Sequence, residues 1–219
     1  MALFLKVAEL AEELAGEAGR LKKRAAIAET IAAIHTAAPE TEDAGLFALY
    51  LAGTPFAEAD TRKLNAGGAL LSKALRAVSG ASDAALTAAY RRHGDLGAAA
   101  FDLLQESEQG SRNKHQALTL DDVATAFAAM AVASTTAIRA GLVEGLLRRA
   151  TPLEAKYLLK LMLGDMRIGV KQTLIEEAIA AAVSVPVAAV RHAVMLEADL
   201  ADALRRAFAG TLDEARMRL

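Results

Sequence analysis

The sequence has no cysteine and no tryptophan among its 219 residues. Without cysteine there is neither a disulfide framework nor a thiolate metal site, which suits a reducing cytoplasm. Proline occurs only four times and aromatic residues make up 4%. An excess of one charge is lacking too. Twenty-five lysines and arginines face 27 acids, for a net charge of −2, so a polyanion would have to be met by local basic patches. No apolar run approaches the roughly 18 residues of a membrane span. The opening Met1-Ala-Leu-Phe-Leu-Lys-Val-Ala-Glu9 lacks the apolar core of a signal peptide.

What the chain does have is alanine and leucine, which dominate a 54% hydrophobic composition. That composition, with proline so scarce, is that of tightly packed helices. Helical periodicity runs from end to end and predicts about twelve helices of ordinary length. Ile138, Leu142, Val143 and Leu146 mark one apolar face, with Arg139, Glu144 and Arg148 turned away. Thr151-Pro-Leu-Glu154 combines a capping threonine, a first-turn proline and a glutamate that can close a capping box. Thr119-Leu-Asp-Asp122 is a weaker version of the same device.

The two halves repeat. Lys63-Leu-Asn-Ala-Gly-Gly-Ala-Leu-Leu-Ser-Lys-Ala-Leu75 lines up with Arg167-Ile-Gly-Val-Lys-Gln-Thr-Leu-Ile-Glu-Glu-Ala-Ile179 at an offset of 104 (167 minus 63). Upstream, Arg24, Ile27, Glu29 and Ile31 match Arg139, Leu142, Glu144 and Leu146 at 115 (139 minus 24), and Gly53 matches Gly164 at 111. A period near 100 residues is too long for common solenoids. The pattern predicts an all-α fold, one domain built from two pseudo-symmetric six-helix halves. The halves are 1–105 and 118–210, joined by a polar linker at 106–117.

Each half then displays a basic loop before a helix start: Arg62, Lys63, Asn65, Gly67 and Gly68 in one, Arg167, Gly169 and Lys171 in the other. Free amides and the helix dipole attract an anion there, and glycine lets a ligand approach the backbone. Thr135, Thr136 and Arg139 form a second such start, matched by the run Arg20-Leu-Lys-Lys-Arg24, from which Lys22, Lys23 and Arg24 are candidate contacts. Arg112 and Lys114 in the linker are further candidates. Duplicated helix starts of this kind suit the phosphates of a two-stranded backbone, recognised by shape and charge. The bland alternative is that the glycines are caps and the cations a solvated surface. The protein would then be a helical interaction scaffold.

The catalytic inventory is thin. His35, His93, His115 and His192 are scattered, and neither a phosphate-binding loop nor a dinucleotide fingerprint is present. Glu176-Glu177 and Asp121-Asp122 are adjacent pairs, which diverge by about 100° on a helix. No lysine is followed by x-Asp-Gly. These features predict no metal, no cofactor and no activity for this chain alone.

The stretch Thr151-Pro-Leu-Glu-Ala-Lys-Tyr-Leu-Leu-Lys-Leu-Met-Leu-Gly-Asp-Met-Arg-Ile-Gly-Val170, continued by Lys171-Gln-Thr-Leu-Ile-Glu-Glu-Ala-Ile179, resembles the N-terminal DNA-binding domain of ATP-dependent DNA ligases. The likeness is strong from about Ser134 to Ala182 and weaker before Ala100. It implies an all-helical, pseudo-symmetric domain that binds duplex DNA across the minor groove at a nick. It also implies nucleotidyltransferase and OB domains C-terminal to it, with ATP and Mg²⁺ used by the whole enzyme in DNA repair, replication and recombination. A cytoplasmic, nucleoid-associated location follows from the same likeness. Carried over by position, the DNA contacts are Arg167, Gly169, Lys171, Thr135, Thr136 and Arg139, with Arg62, Lys63, Asn65, Gly67 and Gly68 in the first half. Asn65 stands where the second half has Gly169. Gly210 is expected to close one helix and Thr211-Leu-Asp-Glu214 to cap another ending at Leu219, the pattern of a fragment cut before a catalytic domain.

Overall fold

The computed structural model describes residues 1–107 and 117–217. Among them are twelve α-helices and no sheet, as the periodicity predicts. In chain order they are α1 (Leu5–Gly16), α2 (Arg20–Ala37), α3 (Asp43–Leu51), α4 (Gly68–Ser79), α5 (Asp83–His93) and α6 (Leu96–Glu106). After the gap come α7 (Leu120–Val132), α8 (Thr136–Arg149), α9 (Pro152–Leu163), α10 (Gln172–Val183), α11 (Val187–Glu197) and α12 (Leu200–Ala209). None is long and apolar enough to cross a membrane.

Local chemistry sets the boundaries. Thr119 and Thr151 each complete a full capping box, with Asp122 and Glu154 returning a bond to the cap's own N–H, so the Thr119 signal is as good as the other. The Asp122 carboxyl is held down to about 2, chiefly by its hydrogen bond from Arg149. Burial pushes Glu154 the other way, above the usual carboxylate range. Asp95 caps α6 by accepting from Gly97 and Ala98, and Asp199 caps α12 by accepting from Ala201 and Asp202. Gly210 closes α12 in the left-handed region. Beyond it Leu212–Glu214 makes only a 3-10 turn without a side-chain cap, not the further helix expected from Thr211.

The repeat is visible in the backbone. Helices α4, α5 and α6 start at 68, 83 and 96, and α10, α11 and α12 at 172, 187 and 200, each displaced by 104. Left-handed residues recur at the same displacement: Asn65 and Gly169, Gly80 and Ser184, Gly94 and Ala198. A residue with a Cβ resists that conformation, so its recurrence at Asn65, Ser184 and Ala198 marks a backbone path that both copies keep.

Packing cuts the chain differently from the repeat. One compact unit comprises Met1–Ala2, Leu10–Thr61 and the chain from Arg167 on; the other comprises Leu3–Glu9 and Arg62–Met166. In the first, α2 packs on α10, α3 on α12, and α11 on α10 and α12. In the second, the equivalent helices make the equivalent pairs: α8 on α4, α9 on α6, α5 on α4 and α6. Each unit therefore takes its first helices from one half of the chain and its last from the other. The cores are mainly aliphatic, with Ile27, Ile31, Leu174, Ile175 and Ile179 buried beside Phe47 and Tyr50 in the first unit and Leu71, Leu75, Val143 and Leu158 beside Phe127 and Tyr157 in the second. Each such aliphatic side chain contributes roughly 1.5–3 kcal/mol by leaving water.

Two expectations on α8 are reversed. Ile138 lies in the first turn and is 51% exposed. Arg139 is tucked in instead, donating from Nε to the Met130 carbonyl (3.2 Å) and from Nη2 to that of Ala133 (2.7 Å). The end of α7 leaves carbonyls without helical partners, and the guanidinium supplies them.

Candidate nucleic-acid interface

In the first unit the loop before α10 runs through Arg167, Ile168, Gly169, Val170 and Lys171. Ile168 is buried and Arg167, Gly169 and Lys171 are exposed. Arg167 and Gly169 both adopt positive φ, at 53° and 63°. The loop packs with the start of α2, because Lys23 Nζ donates to the Ile168 carbonyl at 2.7 Å and reaches the Gly169 carbonyl at 3.5 Å. Lys23 is only 8% exposed. It was a candidate contact by sequence, yet its ammonium faces inward. Lys22 is exposed and Arg24 half-buried. Arg20, outside the candidate set, pairs with Glu177 at 2.8 Å, and Arg191 pairs with both Glu177 and Glu176. The two adjacent glutamates are thus engaged by arginines.

In the second unit the loop before α4 carries Arg62 and Lys63, both exposed, and then exposed Asn65 between buried Leu64 and Ala66. Asn65 has φ 50° and donates from Nδ2 to the Lys63 carbonyl at 3.2 Å. Gly67 caps α4 and Gly68 opens it. Neither glycine is needed by the fold. Gly67 has φ −82°, and a Cβ at either position would meet nothing within 4 Å. The first-turn amides of a helix attract an anion. Helix α8, which packs on α4, carries Thr135 and Thr136 at its exposed start. Thr135 Oγ1 accepts from the Ile138 N–H and keeps its hydroxyl proton to donate. Arg139 keeps Nη1.

The structure therefore pairs the helix starts crosswise. Thr135, Thr136 and Arg139 share a unit with Arg62–Gly68, while Arg167, Gly169 and Lys171 share one with Lys22–Arg24. Arg112 and Lys114 lie outside the described residues. No three carboxylate or imidazole side chains converge on a metal position among the described residues. His93 bonds Asp102 at the surface and His35 stacks on Phe208.

Residues 3–180 match the family described as the DNA ligase N terminus. The chain belongs to that family. A protein named "Probable DNA ligase" of Koribacter versatilis is 40% identical over 210 residues, covering 96% of this chain and 35% of that protein. A DNA ligase of Methanopyrus kandleri is 36% identical over 156 residues, covering 70% of this chain and 28% of that one. A DNA ligase of Archaeoglobus fulgidus is 31% identical over 201 residues, covering 90% and 35%. This ligase N-terminus thus spans about a third of the length of the curated relatives it matches. Both basic loops and both threonines of α8 fall inside the family match.

Proposed function

We propose that the chain grips duplex DNA, without regard to sequence, as the DNA-binding part of an ATP-dependent ligase acting at nicks. The carrying observation is that each compact unit presents a basic loop ahead of a helix start. One loop is Arg62, Lys63, Asn65, Gly67 and Gly68, with Thr135, Thr136 and the free end of Arg139. The other is Arg167, Gly169 and Lys171, with Lys22 and Arg24. Amides, hydroxyls and cations of this kind fit phosphate oxygens and carry no base code. Gly67 and Gly68 support the reading most directly, because the folded chain needs glycine at neither place while a close-lying DNA backbone would. The same geometry suits the minor-groove side of a duplex, whose sugar–phosphate edges can be followed without reading bases.

In this reading ATP and Mg²⁺ belong to nucleotidyltransferase and OB domains in the same polypeptide. This chain has no Lys-x-Asp-Gly to take up AMP, and its own acidic and imidazole groups do not form a metal set among the described residues. Its contribution is to hold the duplex while those domains close on the break, in repair and replication within the cytoplasm.

Fluorescence anisotropy with a labelled nicked duplex, titrated across salt, tests this. Binding should weaken with a log–log slope of about −0.9 per phosphate engaged. Arg167→Ala should weaken unrelated duplexes equally and lower the slope by about one phosphate. No binding at low salt would sink the reading and leave the loops as caps on a protein-interaction scaffold.

A further inference from the structure

Lys23 is the one cation of the Arg20–Arg24 run that is turned into the fold, and nothing in the packing of α2 against α10 requires a charge there. It continues the apolar stripe of Ile27 and Ile31, both fully buried, where an aliphatic side chain would be the ordinary occupant. Its acceptors are the carbonyls of Ile168 and Gly169. No carboxylate pairs with it among the described residues. An ammonium beside the start of α10 also stands at the unfavourable end of that helix's dipole. A buried charge so placed costs stability, and its effect falls on the loop.

That effect has a direction. In a trans peptide the carbonyl and the following N–H point to opposite sides. Drawing the Ile168 and Gly169 carbonyls inward turns the Gly169 and Val170 amides outward, to the side on which Arg167 and Lys171 are exposed. Gly169 is fitted to this arrangement: its φ is 63°, and a Cβ there would lie 2.8 Å from Lys23 Nζ.

We propose that Lys23 is the positioning residue of the Arg167–Lys171 loop, aiming its Gly169 and Val170 amides at a DNA phosphate without touching the DNA. The inference rests on the DNA-binding reading above. It separates Lys23 from its neighbours Lys22 and Arg24, which act, where they act, as direct contacts.

A double-mutant cycle on the whole chain tests it, with the nicked duplex as probe and the Gly169 and Val170 amide resonances as a DNA-free readout. Lys23→Met keeps the unbranched stem and removes the donor. It should shift both amide resonances and weaken binding about tenfold, the scale of one lost hydrogen bond to a charged group. In the Arg167→Ala background the same change should cost less than about twofold, because the loop it aims has already lost its main contact. Gly169→Ala, which disturbs the clasp from the loop side with the ammonium intact, should reproduce the shift and the loss even if Lys23→Met folds poorly. Losses that multiply in the double variant, with the free-state resonances unmoved, would overturn the positioning role and make Lys23 an independent contact. Absence of wild-type binding would instead overturn the DNA reading itself, and the resonances would still report whether the clasp exists.

Discussion

The loops before α4 and α10 share one left-handed position, although Arg167 is left-handed as well and its counterpart Lys63 is not, and they are held in different ways. Their helices start at 68 and 172, and each has a left-handed residue three positions earlier, Asn65 or Gly169. The first loop braces itself: Asn65 bonds the Lys63 carbonyl, and Leu64 and Ala66 anchor it. The second is clasped from outside by Lys23. The position equivalent to Lys23 in the second unit is 138 (23 plus 115), where a half-exposed isoleucine makes no such bond. A duplicated backbone thus dictates where a helix begins, and leaves open which side chains secure the approach. The same freedom shows at the caps and at the helix crossings, where it can be measured.

The largest difference is expected between two caps 104 residues apart. Asp95 and Asp199 each accept two backbone N–H groups with nearly the same geometry. Asp95 also pairs with Lys160, which is 5% exposed, whereas the matching position on α3, 49 (160 minus 111), is a buried leucine. Asp95→Asn keeps the cap and strands a buried ammonium, at a cost of about 3–5 kcal/mol. Asp199→Asn also keeps a good cap and strands no lysine at position 49, so it should cost less than Asp95→Asn. Urea unfolding at neutral pH measures both, and equal losses would break the comparison. The pH dependence has a definite sign. Burial tends to raise the Asp95 carboxyl, but the Lys160 hydrogen bond and charge, together with the bonds from the Ala98 and Gly97 N–H groups, outweigh it and hold the group below its usual value. Its stabilisation is therefore complete above the ordinary carboxylate range and is lost as pH falls through the lowered value. Asp95→Asn should flatten that acid limb.

Next in size are the two equivalent helix crossings. Where α6 meets α9, a Cβ on Gly97 would lie 2.4 Å from the Lys156 carbonyl oxygen. Where α3 meets α12, the glycine is on the other partner, and a Cβ on Gly45 would lie 2.8 Å from the Ala201 Cβ. Backbone can yield less than a methyl group on a helix surface. Gly97→Ala should cost about 3 kcal/mol and Gly45→Ala about half that, at the scale of overpacked cores. Pairing Gly45→Ala with Ala201→Gly should restore most of the smaller loss, and no removal of a side chain can do so for Gly97. A larger loss at Gly45 would show that the crossings differ in something other than which atoms meet.

The sequence carried much of this through local signals. Apolar spacing gave the helices, Thr151-x-x-Glu154 gave a cap, and Leu70-Leu71 against Leu174-Ile175 gave the offset of the repeat. What it hid was long-range. Nothing local distinguishes α2 packing on α10 from α2 packing on its own half, so the crosswise pairing of the loops was invisible, as was the Arg20–Glu177 bridge across 157 positions. Lys23 was nearly legible: it sits four and eight residues before Ile27 and Ile31, on a stripe that should be buried. Its place in a run of four basic residues within five positions masked that spacing. Ile138 and Arg139 changed places because a first helical turn lies at the margin of the core, where an apolar side chain finds little to cover it and a guanidinium finds the carbonyls at the end of α7 and at its cap.

The smallest expected effects come from exchanging the two left-handed residues. Asn65→Gly relaxes a backbone that any side chain strains and removes a bond at an exposed site. These oppose each other, so stability should move by no more than about 0.5 kcal/mol and duplex affinity by less than twofold. Gly169→Asn introduces a residue that tolerates positive φ, so the backbone alone would accept it almost as well. Its Cβ, however, would stand against Lys23 Nζ. The exchange therefore isolates the clasp from the φ requirement. If Gly169→Asn weakens duplex binding several-fold while Asn65→Gly does not, the ammonium is what makes the second loop demand glycine. If both are silent, the left-handed turn is all that either loop needs, and the difference between the two units has no consequence for binding.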